Sequence, residues 1–196
     1  MVGNTSELID AELRAKNPLD QVPLLEFTDA QTGETQSLTQ SLAIIEFLEE
    51  AYPATHKVLP TCITQRARAR QIAEIVNSSI QPLQNLYVLR QVKTVELIGV
   101  PGETDVKAFS QQVIVRGLTA IEALVSKYAP VESNRFAAGT LSPSLADICL
   151  VPQIYNARRQ NVDLSAYPTI NAIVARCEAL PAFQQAAPQN QPDAKN

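Results

Sequence analysis

Two short segments of this 196-residue chain carry polar groups at a spacing suited to holding a small anionic peptide: Val22-Pro23 and, downstream, Gln40-Ser41. A residue before proline is kept extended, because the proline ring crowds it out of the helical region. The N–H and C=O of Val22 are thereby presented as a strand edge presents them, ready to pair with a peptide backbone. Gln40-Ser41 opens the amphipathic run Leu42-Ala43-Ile44-Ile45-Glu46-Phe47-Leu48-Glu49-Glu50. The start of a helix leaves N–H groups unpaired and carries the positive end of the helix dipole. A serine hydroxyl there completes a carboxylate receptor. A capped helix after a hairpin is equally ordinary scaffolding, and these residues alone leave both readings open.

The elements that position these groups follow from the local pattern. Strands over 24–28 and 34–38, joined by Ala30-Gln31-Thr32-Gly33, form a hairpin that delivers the chain to a helix over 41–51. Residues 5–16 read as a short polar helix ending before Pro18. The stretch 52–63, with Pro53 and Pro60, has no period and reads as a linker. Everything downstream reads as helix. The longest helix starts near Thr64 and runs past Arg90, with Ile72, Ile75, Val76, Ile80, Leu83, Leu86 and Tyr87 on one buried stripe. Pro82 lies inside it, lacks an N–H and crowds the carbonyl of Ser78, so a kink is expected. Gln81 and Asn85 are four apart at that kink, and their simplest role is to satisfy the broken backbone. A further helix spans 105–128, and a loop over 130–143 leads to Ser144-Leu145-Ala146-Asp147. That tetrad is a capping box with Asp in the usual Glu position, starting the central helix of the second half. Helices over 168–179 and 181–187 complete the chain, and 189–196 reads as a disordered tail.

Composition narrows the function classes. A formal charge of −4 gives no basic surface excess, so nucleic acid is not an expected partner. The alternation Arg66-Ala67-Arg68-Ala69-Arg70 lacks interleaved aromatics and reads as a solvated helix face. No apolar run approaches the ~18 residues of a membrane span, and residues 1–6 lack the features of a signal peptide. The three cysteines, Cys62, Cys149 and Cys177, are far apart and odd in number, which fits reduced thiols in the cytoplasm and no metal site. The neighbours of Cys62 offer no positive field at the level of sequence, so it reads as an idle thiol. His56 is the only histidine, and it reads as a solvated loop residue.

Five segments, in order, closely resemble the zeta-class glutathione transferases, the maleylacetoacetate isomerases. They are Asn17-Pro18-Leu19-Asp20-Gln21-Val22-Pro23, the run from Gln40 to Glu50, Ile80-Gln81-Pro82-Leu83-Gln84-Asn85-Leu86, Ser144-Leu145-Ala146-Asp147-Ile148-Cys149-Leu150-Val151-Pro152-Gln153 and Val162-Asp163-Leu164-Ser165-Ala166-Tyr167-Pro168-Thr169-Ile170. The resemblance implies an α+β fold: a truncated thioredoxin-like N-terminal part over 1–56 followed by an all-helical glutathione-transferase domain over 57–196. It implies glutathione as cofactor, with Val22 pairing the cysteinyl backbone and the Val22-Pro23 bond cis. Gln40 and Ser41 would hold the γ-glutamyl carboxylate, Gln81 and Asn85 would line the glutathione site, and Arg159 would grip an acidic small-molecule substrate. The five donors of a guanidinium suit a dicarboxylate, although a solvated arginine near a helix end is an equally simple reading of Arg159. Pro23, Ser144 and Asp147 carry structural roles, and a two-fold homodimer is the implied assembly.

The departure from the family lies at the N-terminus. Zeta-class enzymes stabilise the glutathione thiolate with a Ser-Ser-Cys motif at the start of their first helix, and the thiolate adds reversibly to the cis double bond. The motif does not occur in this sequence, and only 16 residues precede Asn17. Ser6 is the only serine among them and is no replacement, so no catalytic residue is assigned. The edge of the strand at 24–28 needs covering, either by a partner or by further N-terminal sequence of the native gene product, and the second is the expectation. The leading reading is glutathione-dependent isomerisation of maleylacetoacetate to fumarylacetoacetate in phenylalanine and tyrosine breakdown. The alternatives are a transferase-like enzyme of a secondary-metabolite pathway, or an inactive interaction module like that in the gamma subunit of translation elongation factor 1.

Overall fold

The computed structural model describes residues 11–19, 21–94, 106–192 and 194. The chain divides between Lys57 and Val58 into two compact units.

The first unit holds helix α1 (Ala11–Lys16), strands β1 (Leu24–Thr28) and β2 (Thr35–Thr39), and helix α2 (Ser41–Ala51). Residues 5–10 of the expected first helix lie outside the described residues. β1 and β2 pair antiparallel from Leu24↔Thr39 to Thr28↔Thr35. Asp29 builds the turn, its Oδ1 accepting from the N–H groups of Gln31 at 2.8 Å and Thr32 at 2.9 Å. Gly33 supplies the left-handed residue, φ 72°. The hairpin meets α2 through Phe27 and Phe47, whose ring centroids are 4.3 Å apart, with Ile44 buried behind them.

The second unit is helical: α3 (Ile63–Glu74), a π-helical turn (Ile75–Ile80), a 3-10 turn (Gln81–Gln84), α4 (Leu86–Thr94), α5 (Val106–Tyr128), α6 (Leu145–Arg159), α7 (Pro168–Glu178) and α8 (Pro181–Ala186). α3 and α7 both pack on α6, and α5 packs on the π turn and on α7. Ile72, Ile80, Leu118, Leu145, Leu150 and Ile170 are fully buried. Gly117 lets α5 approach the π turn, since a Cβ there would meet Ile80 Cδ1 at 2.2 Å.

The long helix is not one kinked rod. α3 loosens into the π turn, tightens to 3-10 geometry around Pro82, and stops at Asn85, whose backbone is extended (φ −62°, ψ 138°). Each change of pitch rotates the downstream residues, so the expected stripe loses phase. Ile72, Val76 and Ile80 are buried as expected, whereas Leu83, Leu86 and Tyr87 are 39%, 48% and 69% exposed. The tail also differs. Pro188–Asn190 forms a 3-10 turn, and the side-chain amides of Asn190 and Gln191 donate to the Gln184 and Gln185 carbonyls at 2.6 and 2.8 Å and cover the end of α8.

The capping box at Ser144 forms and does more than start a helix. Asp147 is fully buried; its Oδ2 accepts from the Ser144 N–H and hydroxyl, both at 2.8 Å, and its Oδ1 accepts from the Ala137 N–H at 2.9 Å. One carboxyl thus pins α6 to the preceding loop, which doubles back through the Phe136 N–H to Thr140 C=O bond at 2.9 Å. Gly139 is required in that turn: its φ is +80°, and a Cβ would lie 2.8 Å from the Tyr128 carbonyl oxygen. Burial pushes the Asp147 carboxyl up from the ordinary range, and the Ala137 and Ser144 N–H groups pull it the other way. Asp147→Ala removes the cap and strands two buried N–H groups, so stability is expected to fall by about 3 kcal/mol or more. Urea unfolding followed by circular dichroism measures it; an unchanged midpoint refutes this role.

Candidate functional site

In the first unit, the approach to Pro23 is organised by the buried Asn17, whose role its position in the sequence does not display. Its Nδ2 donates to the Gln21 carbonyl, and its Oδ1 accepts from the Leu19 N–H at 3.1 Å. Val22 follows, 65% exposed, and the Val22-Pro23 bond is cis. Neither the N–H nor the C=O of Val22 has a partner among the described residues. An exposed, unpaired peptide unit beside a strand is a pairing edge for another extended peptide.

Gln40 sits at the N-cap of α2 with φ 73° and ψ 116°, a region seldom occupied by residues other than glycine. Its side chain is not used as a cap. The first backbone bond of the helix runs from the Ile44 N–H to the Gln40 C=O at 3.0 Å, so the N–H groups of Ser41, Leu42 and Ala43 precede the helical ladder. Gln40 and Ser41 are exposed. The open helix start leaves N–H donors and the positive end of the helix dipole on the surface of this unit, a setting whose electrostatics suit an anion.

In the second unit, the groups that repair the broken helix are not those expected. Gln84, not Gln81 or Asn85, does the repair: its Nε2 donates to the Ile80 carbonyl at 3.2 Å. Its Oε1 accepts from Asn156 Nδ2 on α6, which ties the break to that helix. Asn85 instead starts α4, its Oδ1 accepting from the Tyr87 N–H at 2.9 Å. The helical i, i+4 relation of Gln81 and Asn85 is lost, since 3-10 geometry and an extended residue separate them. One turn before Asn156, Gln153 is buried with no partner for its Nε2 among the described residues.

The two arginines that end α6 differ in their surroundings. Arg158 is paired with Glu178, Nη1 to Oε1 at 2.6 Å. Arg159 has no carboxylate partner among the described residues; its guanidinium carbon lies 5.9 Å from the centroid of the Tyr155 ring. Arg159 is therefore an exposed cation whose charge is not neutralised, close along the chain to the Asn156 tie. The sequence signal was present, in a tyrosine four residues before an arginine on a helix. Arg68 lies over the Tyr128 ring at 4.2 Å, so the arginine-rich start of α3 is partly packed rather than wholly solvated. His56 is exposed.

Residues 4–56 match the sequence family described as glutathione S-transferase, N-terminal domain. The probable maleylacetoacetate isomerase 2 of Drosophila melanogaster is 42% identical over 182 residues, covering 93% of this chain and 71% of that protein. The holo structure of a maleylpyruvate isomerase, a bacterial glutathione S-transferase in the zeta class, matches with TM-score 0.81 and 39% identity, covering 96% of this chain and 83% of that one. The maleylacetoacetate isomerase of Anaeromyxobacter dehalogenans 2CP-1, solved with glutathione bound in its active site, matches with TM-score 0.79 and 44% identity, covering 97% of this chain and 82% of that one. The chain belongs to the zeta-class glutathione S-transferases. Its thioredoxin-like first part and helical second part are the glutathione S-transferase plan.

The thiols of this zeta-class transferase differ from the expected pattern at Cys62. It is the exposed N-cap of α3, and the Gln65 and Thr64 N–H groups, with Arg68 and Arg66 behind them, hold its thiol below the ordinary range. The positive field comes from the helix start and from residues one and two turns on, which their place in the sequence does not display until the helix boundary is known. Burial instead pushes Cys149 up to about 11, and raises Cys177 as well. One thiol is expected to react rapidly with Ellman's reagent at pH 8 in the native protein, and the others only after unfolding. A group whose proton is held more tightly in the fold favours folding below its unfolded value and loses that advantage as pH rises through its folded value. The Cys149 contribution, on the order of 2–3 kcal/mol, should therefore disappear between about pH 9 and 11, and Cys149→Ala should flatten that part of the stability profile.

Proposed function

We propose that the chain is a glutathione-dependent isomerase acting on the maleyl double bond of maleylacetoacetate to give fumarylacetoacetate. The observation that carries this reading is that the relation to proteins named for the reaction extends through both units, not through the glutathione half alone. The unpaired peptide unit of Val22 supports the fit of a peptide cofactor, and the unneutralised cation at Arg159 supports an acidic substrate.

Glutathione supplies, when bound, a thiol nucleophile able to add reversibly to an activated double bond. The residues of this chain hold and orient. Val22 pairs its N–H and C=O with the cysteinyl part, while the Gln40 carboxamide, the Ser41 hydroxyl and the open start of α2 hold the γ-glutamyl carboxylate. In the second unit, Gln81 and Asn85 are the further residues assigned to glutathione, and the Arg159 fork is assigned to a substrate carboxylate. Pro23 keeps the Val22 peptide in position, and Ser144 with Asp147 keeps α6 in register. The working form is a two-fold homodimer in the cytoplasm; no helix among the described residues is long and apolar enough to cross a membrane.

Maleylpyruvate is the second reading, favoured by the likeness to the maleylpyruvate isomerase structure; both substrates offer an acid to the same fork. The ratio of kcat/KM for the two substrates separates them. Calorimetry with reduced glutathione should give saturable binding in the millimolar range, and an absorbance assay should give slow glutathione-dependent loss of the cis substrate. Ser41→Ala should weaken glutathione binding about tenfold, the value of a hydrogen bond to a charged group. Absence of saturable binding overturns the proposal in favour of an inactive interaction module.

A further inference from the structure

We infer that Tyr155 is a positioning residue for substrate recognition: its ring face holds the Arg159 guanidinium as a preformed fork for a dicarboxylate. This rests on the reading of Arg159 given above and adds to it the group that orients it. The two residues are four apart on α6, so their side chains emerge on the same face of the helix one turn apart. The guanidinium carbon sits 5.9 Å from the ring centroid, within reach of the attraction between a cation and the negative face of an aromatic ring.

The neighbouring pair makes the assignment specific. Arg158 is engaged by Glu178 through a two-pronged contact, at 2.6 and 3.5 Å, and has little left to offer a ligand. Arg159 is held by a ring instead of an acid. A carboxylate partner would neutralise the guanidinium and compete with an incoming anion, whereas a ring face restricts its motion and leaves all five N–H donors available. The scaffold beneath is stiff: Ile154 and Ala157 are fully buried, and Asn156 is bonded to Gln84. Tyr155 is 37% exposed, so its substitution does not open the core. An arginine carries several rotatable bonds, and confining it before the ligand arrives lowers the entropic cost of binding.

The test titrates the full chain with malonate, the simplest 1,3-dicarboxylate, and follows the Arg159 Nε–H resonance by NMR beside steady-state kinetics with maleylacetoacetate. Arg159→Ala should abolish malonate binding at this site. Tyr155→Leu and Tyr155→Gln should each weaken malonate about threefold and raise KM by the same factor with kcat unchanged. Both should shift the Nε–H resonance out of the ring-current position. Tyr155→Phe should restore wild-type values, since the ring face and not the hydroxyl is used, and melting temperatures should stay within a degree or two throughout. Tyr155→Leu in the Arg159→Ala background should have no further effect. If Arg159→Ala leaves malonate binding and KM unchanged, the substrate role of Arg159 fails and this inference with it. If Arg159→Ala weakens binding while the two non-aromatic Tyr155 variants match wild type, or if the two substitutions act additively, the role of Tyr155 is overturned and that of Arg159 stands.

Discussion

Pro82 has no N–H to give, and much of the second unit answers that deficit. A helix passing through a proline loses one backbone bond and meets a steric clash one turn back. Here the helix responds over ten residues rather than at one point, widening to a π turn at Ile75–Ile80, tightening to 3-10 at Gln81–Gln84, and ending at the extended Asn85. The carbonyl of Ile80 takes its hydrogen bond from the Gln84 side chain. The other end of that carboxamide is held by Asn156, so the repair of one helix fixes the position of another. The residues that follow Asn156 on α6 are those that carry the free charge. Backbone satisfaction at the break is therefore tied, through Asn156, to the helix that carries Arg159. Gly117 permits it, because α5 comes close enough to pack directly on the Ile80 side chain.

At the opposite end of α6 the same economy applies to a buried carboxyl. Asp147 accepts from both Ser144 donors and from the Ala137 N–H, so a helix start and a loop closure share one side chain. A fully buried carboxyl is tolerated only where donors replace water; here the Ser144 and Ala137 donors are joined by the Cys177 thiol, 3.9 Å from Oδ1. Between these ends runs a helix whose starting point is set by Asp147 and whose lateral position is set by Asn156. The paired arginines at its C-terminus are divided in use. Arg158 is paired with Glu178, and Arg159, with no acidic partner among the described residues, lies against Tyr155. Both cations favour the C-terminal end of a helix dipole, so their presence there costs little. In the first unit, the corresponding arrangement is backbone rather than side chain. Among the described residues, the peptide of Val22 and the N–H groups at the start of α2 have no partner, and Gln40 adopts a rarely used conformation at the start of α2.

Features governed by short-range chemistry were legible without coordinates. The hairpin, the helix from Ser41, the capping box at Ser144 and the start of α7 at Pro168 each depend on residues within about four positions of one another. The resemblance carried the overall plan, because five ordered segments constrain a fold more tightly than any one motif. The errors fell where pitch changed. The expected buried stripe ended at Ile80, since a periodic pattern assumes a constant 3.6 residues per turn and the π and 3-10 turns do not keep it. Gln84 was overlooked in favour of Gln81 and Asn85 for the same reason, as their four-residue spacing has meaning only on an unbroken α-helix. The electrostatic setting of Cys62 is created by a helix boundary, which neighbouring residues alone do not display.

The sequence by itself determined which segments fold locally and which family they belong to, because caps, turns and alternation are written in neighbouring residues. The tertiary structure decided which carboxamide mends the break, which of two adjacent arginines keeps its charge, and which of three thiols is exposed. Each of those outcomes depends on a partner 20 or more residues away, as Asn156 is from Gln84 and Glu178 from Arg158, or on a solvent boundary that forms only when the helices pack. Residue type states what a group is able to do, and only packing states what it is left free to do.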